Sequence, residues 1–166
     1  MEFEVRPTVE DDWEPYRDLR LEMLRDTPIA YLETVDHAIA LEPDAWRDRV
    51  RPAADGSRVR FAGILPDGTW IGTMAGTVER ARGPVLIGVY VSPKYRGVGR
   101  GVTSALLDAV EDWAARTSSH IYLDVHESNA RAIAAYGRRG YVETGHTIPY
   151  PLDPSHLELE MIKQLR

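Results

Sequence analysis

The sequence predicts an α+β single domain spanning residues 1–166, built on a mixed, strongly twisted sheet of about seven strands flanked by about four helices. Three observations predict it. Residues 85–91 are nearly all apolar and rich in β-branched side chains, as suits a strand buried on both faces, and a glycine-rich turn leads from them straight into an amphipathic helix. Two further strand-like runs, 58–65 and 70–78, come before it across turn-rich breaks, and a strand, helix, strand, strand succession comes after. A chain of 166 residues is one domain's worth, long enough to bury roughly two-thirds of its unfolded surface.

In chain order, residues 2–6 alternate enough for a first strand, and Thr8-x-x-Asp11 has the form of a capping box opening a helix that runs to about Arg25. Trp13, Tyr16, Leu19, Arg20, Met23 and Leu24 give that helix one mostly apolar face, and Pro28 stops it. Residues 43–50 read as a short helix with Pro43 in its first turn. The strands 58–65, 70–78 and 85–91, joined through Pro66-Asp67-Gly68 and through residues 80–84, predict an antiparallel meander. The next helix buries Val102, Ala105, Leu106, Ala109, Val110 and Trp113 and leaves Thr103, Asp108, Glu111 and Asp112 in water. A strand at 120–125 follows; a helix between two strands implies that they pair in parallel. Residues 128–138 form a helix with Ala130, Ile133, Ala134 and Gly137 as its inner stripe, ended by Gly140. The last strands are 141–148 and 156–163, with Leu157, Leu159 and Met161 facing inward.

Composition narrows the functions. There is no cysteine, which excludes a disulfide framework, a thiolate metal site and a cysteine nucleophile. The formal charge of -6 argues against a nucleic-acid partner, and no apolar run reaches a signal peptide's core or a membrane span, so a cytoplasmic protein without a membrane partner is expected. Acidic balance mildly favours a cationic substrate, although solubility explains it equally well. The histidines lack metal-ligand spacing, so no metal is expected, and no Gly-x-Ser-x-Gly elbow occurs.

The turn after the central strand carries chemistry. Gly97, Val98, Gly99, Arg100 and Gly101 free the backbone immediately before a helix N-terminus at Val102, whose unpaired N–H groups favour an anion, and Arg96 and Arg100 add full positive charge. This predicts a pyrophosphate site. No lysine followed by Ser or Thr comes after Gly101, which removes a P-loop, and a dinucleotide fingerprint lacks both its third glycine and its acidic residue. What Arg96, Gly99 and Gly101 resemble is the Arg/Gln-x-x-Gly-x-Gly/Ala acyl-coenzyme A motif of the GNAT N-acetyltransferase superfamily, with residues 89–95 similar to that family's lead-in.

A second constellation agrees. Asn129 and Tyr136 are seven residues apart, about 700° along a helix, and so return to nearly one face. Plain readings exist for each, a helix cap and a core tyrosine. Asn129, Ala132, Tyr136 and Gly140-Tyr141 also resemble the family's Asn-x-x-Ala-x-x-x-Tyr followed by Gly-aromatic. The resemblance implies a GNAT-like fold and transfer of an acetyl group from acetyl-CoA, as cosubstrate, to a primary amine in a ternary complex. It implies cofactor contacts from Val89, Tyr90 and Val91, from residues 96–102 and from Asn129, with a main-chain N–H near Val91 for the thioester oxygen and Tyr136 as general acid. It also implies an acceptor wall in residues 24–36.

The base is not supplied so directly. Many family members carry a strand glutamate where this chain has Val85, so Glu79 acting through water is the first candidate, with Asp124 and His126 behind it. An acyl-CoA-binding sensor without turnover, or use of another acyl-CoA, stays open. The expected partner is a small-molecule or peptide amine, and the last strands allow a homodimer.

Overall fold

The computed structural model describes residues 1–97 and 99–166. Seven strands, β1 (Glu4–Pro7), β2 (Arg58–Ile64), β3 (Trp70–Glu79), β4 (Gly83–Val91), β5 (His120–His126), β6 (Val142–Pro149) and β7 (Leu157–Gln164), form one sheet in the order β1-β2-β3-β4-β5-β7-β6. The expected meander is present, with β2–β3 and β3–β4 antiparallel, β4–β5 parallel and β7 inserted between β5 and β6.

Five α-helices accompany the sheet rather than about four: α1 (Trp13–Asp26), α2 (Val35–Ile39), α3 (Pro43–Val50), α4 (Val102–Ala115) and α5 (Ala130–Arg138). The additional one, α2, is a single turn whose N-cap Thr34 accepts a hydrogen bond from His37 N, too short to leave a periodic signal. Two apolar clusters lie on opposite faces of the sheet. One packs Tyr16, Leu19, Met23 and Trp46 of α1 and α3 against Ala62, Ile64 and Tyr90. The other packs Leu106, Leu107 and Val110 of α4, with Tyr136 of α5, against Ile71, Leu86, Ile121 and Leu123.

The chain opens differently from the capping box expected at Thr8 and Asp11. Thr8 Oγ1 donates to Val50 O at 2.6 Å, tying β1 to α3, while Asp12 accepts from Val9 N at 2.8 Å and pairs with Arg6 at 2.7 Å. A tertiary acceptor claims the threonine. On α4, Glu111 is buried rather than wet: it accepts from Tyr141, Arg139 and Lys163, and three donors offset the cost of enclosing its charge. The inner stripe of α5 is also one step from the expected one. Ala130, Ala134 and Gly137 are exposed, while Ala132, Ala135 and Tyr136 turn inward beside the expected Ile133, because the face of α5 that packs is the one carrying its tyrosine.

Candidate functional site: a cavity through the split sheet

β4 is where the sheet opens. Against β3, Thr73 faces Tyr90 and Ala75 faces Ile87, so two steps on β3 match three on β4, and the extra residue makes a bulge. Gly88 in that bulge has φ +58°, a left-handed conformation that a side chain disfavours. Against β5 the parallel ladder has one registered pair, Val85 with Tyr122. Beyond it the strands diverge, so Ile87, Gly88 and Val89 are less enclosed than a strand covered on both faces would be. Tyr31 OH donates to Val89 O at 2.7 Å and pins the bulge from the α1 side.

A cavity of about 700 Å³ uses this opening. Between α4 and α5 it is lined by Thr103, Ser104 and Leu107 and by Asn129, Ala132, Ala135 and Tyr136; it passes the diverging edges of β4 and β5, and it reaches Thr27, Ala30, Tyr31, Asp124 and His126 on the other face. Two molecules approaching from opposite faces of the sheet would therefore meet at the gap.

Of the residues expected to touch a cofactor, Val89, Tyr90, Val91, Arg96, Gly97 and Asn129 line this cavity, as does Tyr136. Gly99, Arg100, Gly101 and Val102 lie beyond that lining, leading into α4; Val98 lies outside the described residues. Gly97, Gly99 and Gly101 have φ of +101°, +86° and +78°, so the turn needs its glycines for backbone shape. Arg96 is turned from the expected phosphate role: it donates to Val91 O and Asp26 and stacks over Tyr90, fastening the turn to α1. Two cations that sequence reading passed over, Arg131 and Arg138, line the cavity without a carboxylate partner among the described residues.

The titratable groups differ in freedom. Burial raises the Tyr136 phenol above its ordinary value, so it stays protonated at neutral pH, and among the described residues its hydroxyl has no hydrogen-bond partner. Asn129 Oδ1 caps α5 by accepting from Ala132 N at 3.3 Å, and the residue still faces the cavity. Glu79 does not line the cavity; both its oxygens accept from Arg82, at 2.8 and 3.0 Å, and the same guanidinium holds Asp124 and Glu160. His126 Nδ1 accepts from Ser128 N at 3.1 Å, so the neutral ring carries its proton on Nε2 and has no free basic nitrogen.

Sequence reading missed Glu158. It faces His126 across the β5–β7 ladder and has no hydrogen-bond or ion-pair partner among the described residues. Burial, with repulsion from Asp124, raises its carboxyl above the usual range. Only strand alternation could have signalled it, by placing Glu158 and Glu160 on one face.

A split mixed sheet with a cavity running through it between two helices is the frame in which the expected cofactor and acceptor residues lie. The family model described as the acetyltransferase (GNAT) family matches residues 13–141, and the chain belongs to that family. An acetyltransferase of the GNAT family from Streptococcus pneumoniae superposes with a TM-score of 0.81 at 17% identity, covering 99% of this chain and 100% of that one. A GCN5-related N-acetyltransferase from Kribbella flavida gives 0.76 at 22% identity over 98% of each chain. PaiA N-acetyltransferase from Thermoplasma acidophilum, in complex with coenzyme A, gives 0.73 at 17% identity over 99% of each. At these identities the likeness is one of fold. No curated protein matches in sequence. Among the described residues no helix is long and apolar enough to cross a membrane, and no His/Asp/Glu group is arranged to hold a metal.

Proposed function

We propose that this protein is an acetyl-CoA-dependent N-acetyltransferase that moves the acetyl group to a primary amine directly, in a ternary complex. The observation that carries the reading is a continuous cavity crossing the sheet at the β4–β5 divergence, with a helix pair on one face and Tyr31 and His126 on the other. The residues present fit the acyl donor. Left-handed glycines precede the N-terminus of α4, Arg131 and Arg138 line the cavity without a carboxylate partner among the described residues, and β4 presents an edge towards β5 with little ladder pairing.

The main-chain N–H groups of residues 97–102 and Arg100 would hold the pyrophosphate, Asn129 and the edge at Val89, Tyr90 and Val91 the pantetheine arm. Acetyl-CoA supplies an activated thioester when bound. A main-chain N–H near Val91 would donate to its carbonyl oxygen and stabilise the charge that develops there. As the amine's C–N bond forms and the C–S bond breaks, Tyr136 gives its proton to the departing sulfur. The amine's own proton leaves through solvent to a carboxylate. Neither carboxylate lines the cavity; Glu158, laddered opposite the lining His126, raised by burial and without an ion-pair partner among the described residues, suits that role better than Glu79, which Arg82 occupies.

The test is thiol release from acetyl-CoA against a panel of amines, with binding followed by calorimetry. Turnover with at least one amine is expected. Binding without any turnover would identify a sensor instead, and no binding of any acyl-CoA would remove the reading altogether.

A further inference from the structure

Three guanidinium groups stand behind the α1 side of the cavity with one carboxylate among them. Arg49 makes two hydrogen bonds to Glu33, at 2.6 and 2.9 Å, and Arg20 adds a third at 2.9 Å. Arg60 has no carboxylate partner among the described residues. Its Nε reaches Arg49 O at 3.3 Å and its Nη1 reaches Thr73 Oγ1 at 3.5 Å, both long, and the Tyr16 ring lies 4.3 Å beneath it. Burial, with repulsion from Arg20, Arg49 and Arg58, lowers the guanidinium below its ordinary value. A largely buried cation is normally matched by an anion, since leaving it unmatched is costly, and Arg60 is only partly open to solvent. Among the described residues the protein supplies no such anion.

The unmatched group lies against the cavity. The ladders align Arg60 with Ala75 and Ala75 with Ile87, so Arg60 and the cavity-lining Ile87 share one face of the sheet. Gly88, also in the lining, has Arg60 Nη1 and Nη2 at 3.4 and 3.9 Å from the position its missing Cβ would take. Any side chain there would occupy the interval; glycine leaves it open. Arg20, in turn, stacks 5.1 Å from the ring of Tyr31, another lining residue.

We propose that the acceptor carries a carboxylate besides its amine, and that Arg60 binds this carboxylate through the opening beside Gly88. Arg20 and Arg49 add positive field, while unpaired Glu158 stands on the β7 side, so the groove is polarised for a compact amine of the amino-acid type. The carboxylate is bound and not altered; the group transferred and the protons moved are those of the acetyl-transfer reading, on which this inference rests.

The experiment compares amines in matched sets: an amino acid, its carboxamide, and the amine left by removing the carboxylate. With the wild-type protein, kcat/KM is expected to be about a hundredfold higher for the carboxylate member. Arg60→Gln is expected to bring the set within a few-fold by raising KM for that member, with acetyl-CoA affinity by calorimetry unchanged, and Arg60→Lys to restore part of the preference. Decarboxylated amines used as well as their parents, or a preference surviving in Arg60→Gln, would overturn the assignment. The wild-type comparison decides even if the variants do not fold. Acetylation of decarboxylated amines alone would overturn the role of Arg60 and leave the transferase reading standing, whereas acetyl-CoA binding with no amine acetylated would remove both.

Discussion

The hydroxyl of Tyr31, in the loop after α1, donates to the main-chain oxygen of Val89 in β4 at 2.7 Å, joining the α1 side of the cavity to the strand edge proposed to hold the acyl donor. Tyr150 OH in turn donates to Tyr31 O at 3.2 Å, so the loop between β6 and β7 closes on the same point. Tyr31→Phe removes the bond to Val89 without opening a cavity. Loss of a net hydrogen bond should lower stability by about 1 kcal/mol, measured as a lowered denaturant midpoint.

Tyr136→Phe keeps the ring in the core beside Tyr141 and removes only the proposed acid. We expect kcat to fall by roughly 10²- to 10⁴-fold while acetyl-CoA affinity holds. Unchanged kcat in single-turnover measurements would assign the phenol to packing.

Glu158 predicts a pH profile. Its carboxyl is raised by burial and by Asp124, so the carboxylate form, and with it kcat/KM, should appear on an acid limb above the ordinary glutamate range. A group whose folded pKa is raised contributes stability below its unfolded pKa and loses it as pH rises through the folded one. Glu158→Gln should therefore lower kcat/KM roughly 10²-fold, abolish that limb, and raise Tm at pH 7.

Glu33 behaves in the opposite sense. Burial pushes its carboxyl up, but hydrogen bonds from Arg49, His37 and Arg20 prevail and bring it from 4.5 down to about 2. Its contribution to stability is therefore complete above pH 4.5 and lost as pH falls towards 2. Glu33→Gln should cost about 2 kcal/mol at pH 7 after allowance for solvent screening, and the difference from wild type should close in acid denaturation curves across that window.

Gly76 tests the packing of α4 on the sheet. A Cβ there would come within 2.3 Å of Trp113 Cζ3, so the indole must move and break its bond to Gly56 O. Gly76→Ala should cost about 1–3 kcal/mol, read as a lowered denaturant midpoint.

Much of this molecule is written in local pattern. Apolar runs and spacings, with the turn and cap residues between them, located the seven strands and four of the five helices to within a few residues, and the glycine turn and the Asn129–Tyr136 spacing marked two stretches that do line or adjoin the cavity. The differences have physical causes. Thr8 had the composition of a helix cap, but Val50 O offers it a buried acceptor from forty-two residues away. Gly76 lies in the strand expected at 70–78, and only the fold shows that its lack of a side chain is what admits Trp113. Glu111 read as surface until three donors converged on it.

By itself the sequence determined the order and kind of the elements, the turn that requires glycine, and the pairing of a polar cap with a tyrosine on one helix face, since these follow from backbone sterics and side-chain periodicity over short spans. Only the tertiary structure decided where β4 leaves β5, that Arg82 occupies Glu79, that among the described residues neither Glu158 nor Arg60 has an ion-pair partner, and that Arg60 lies beside Gly88. Those facts depend on which distant groups share a burial site, and charge pairing in space leaves no period along the chain.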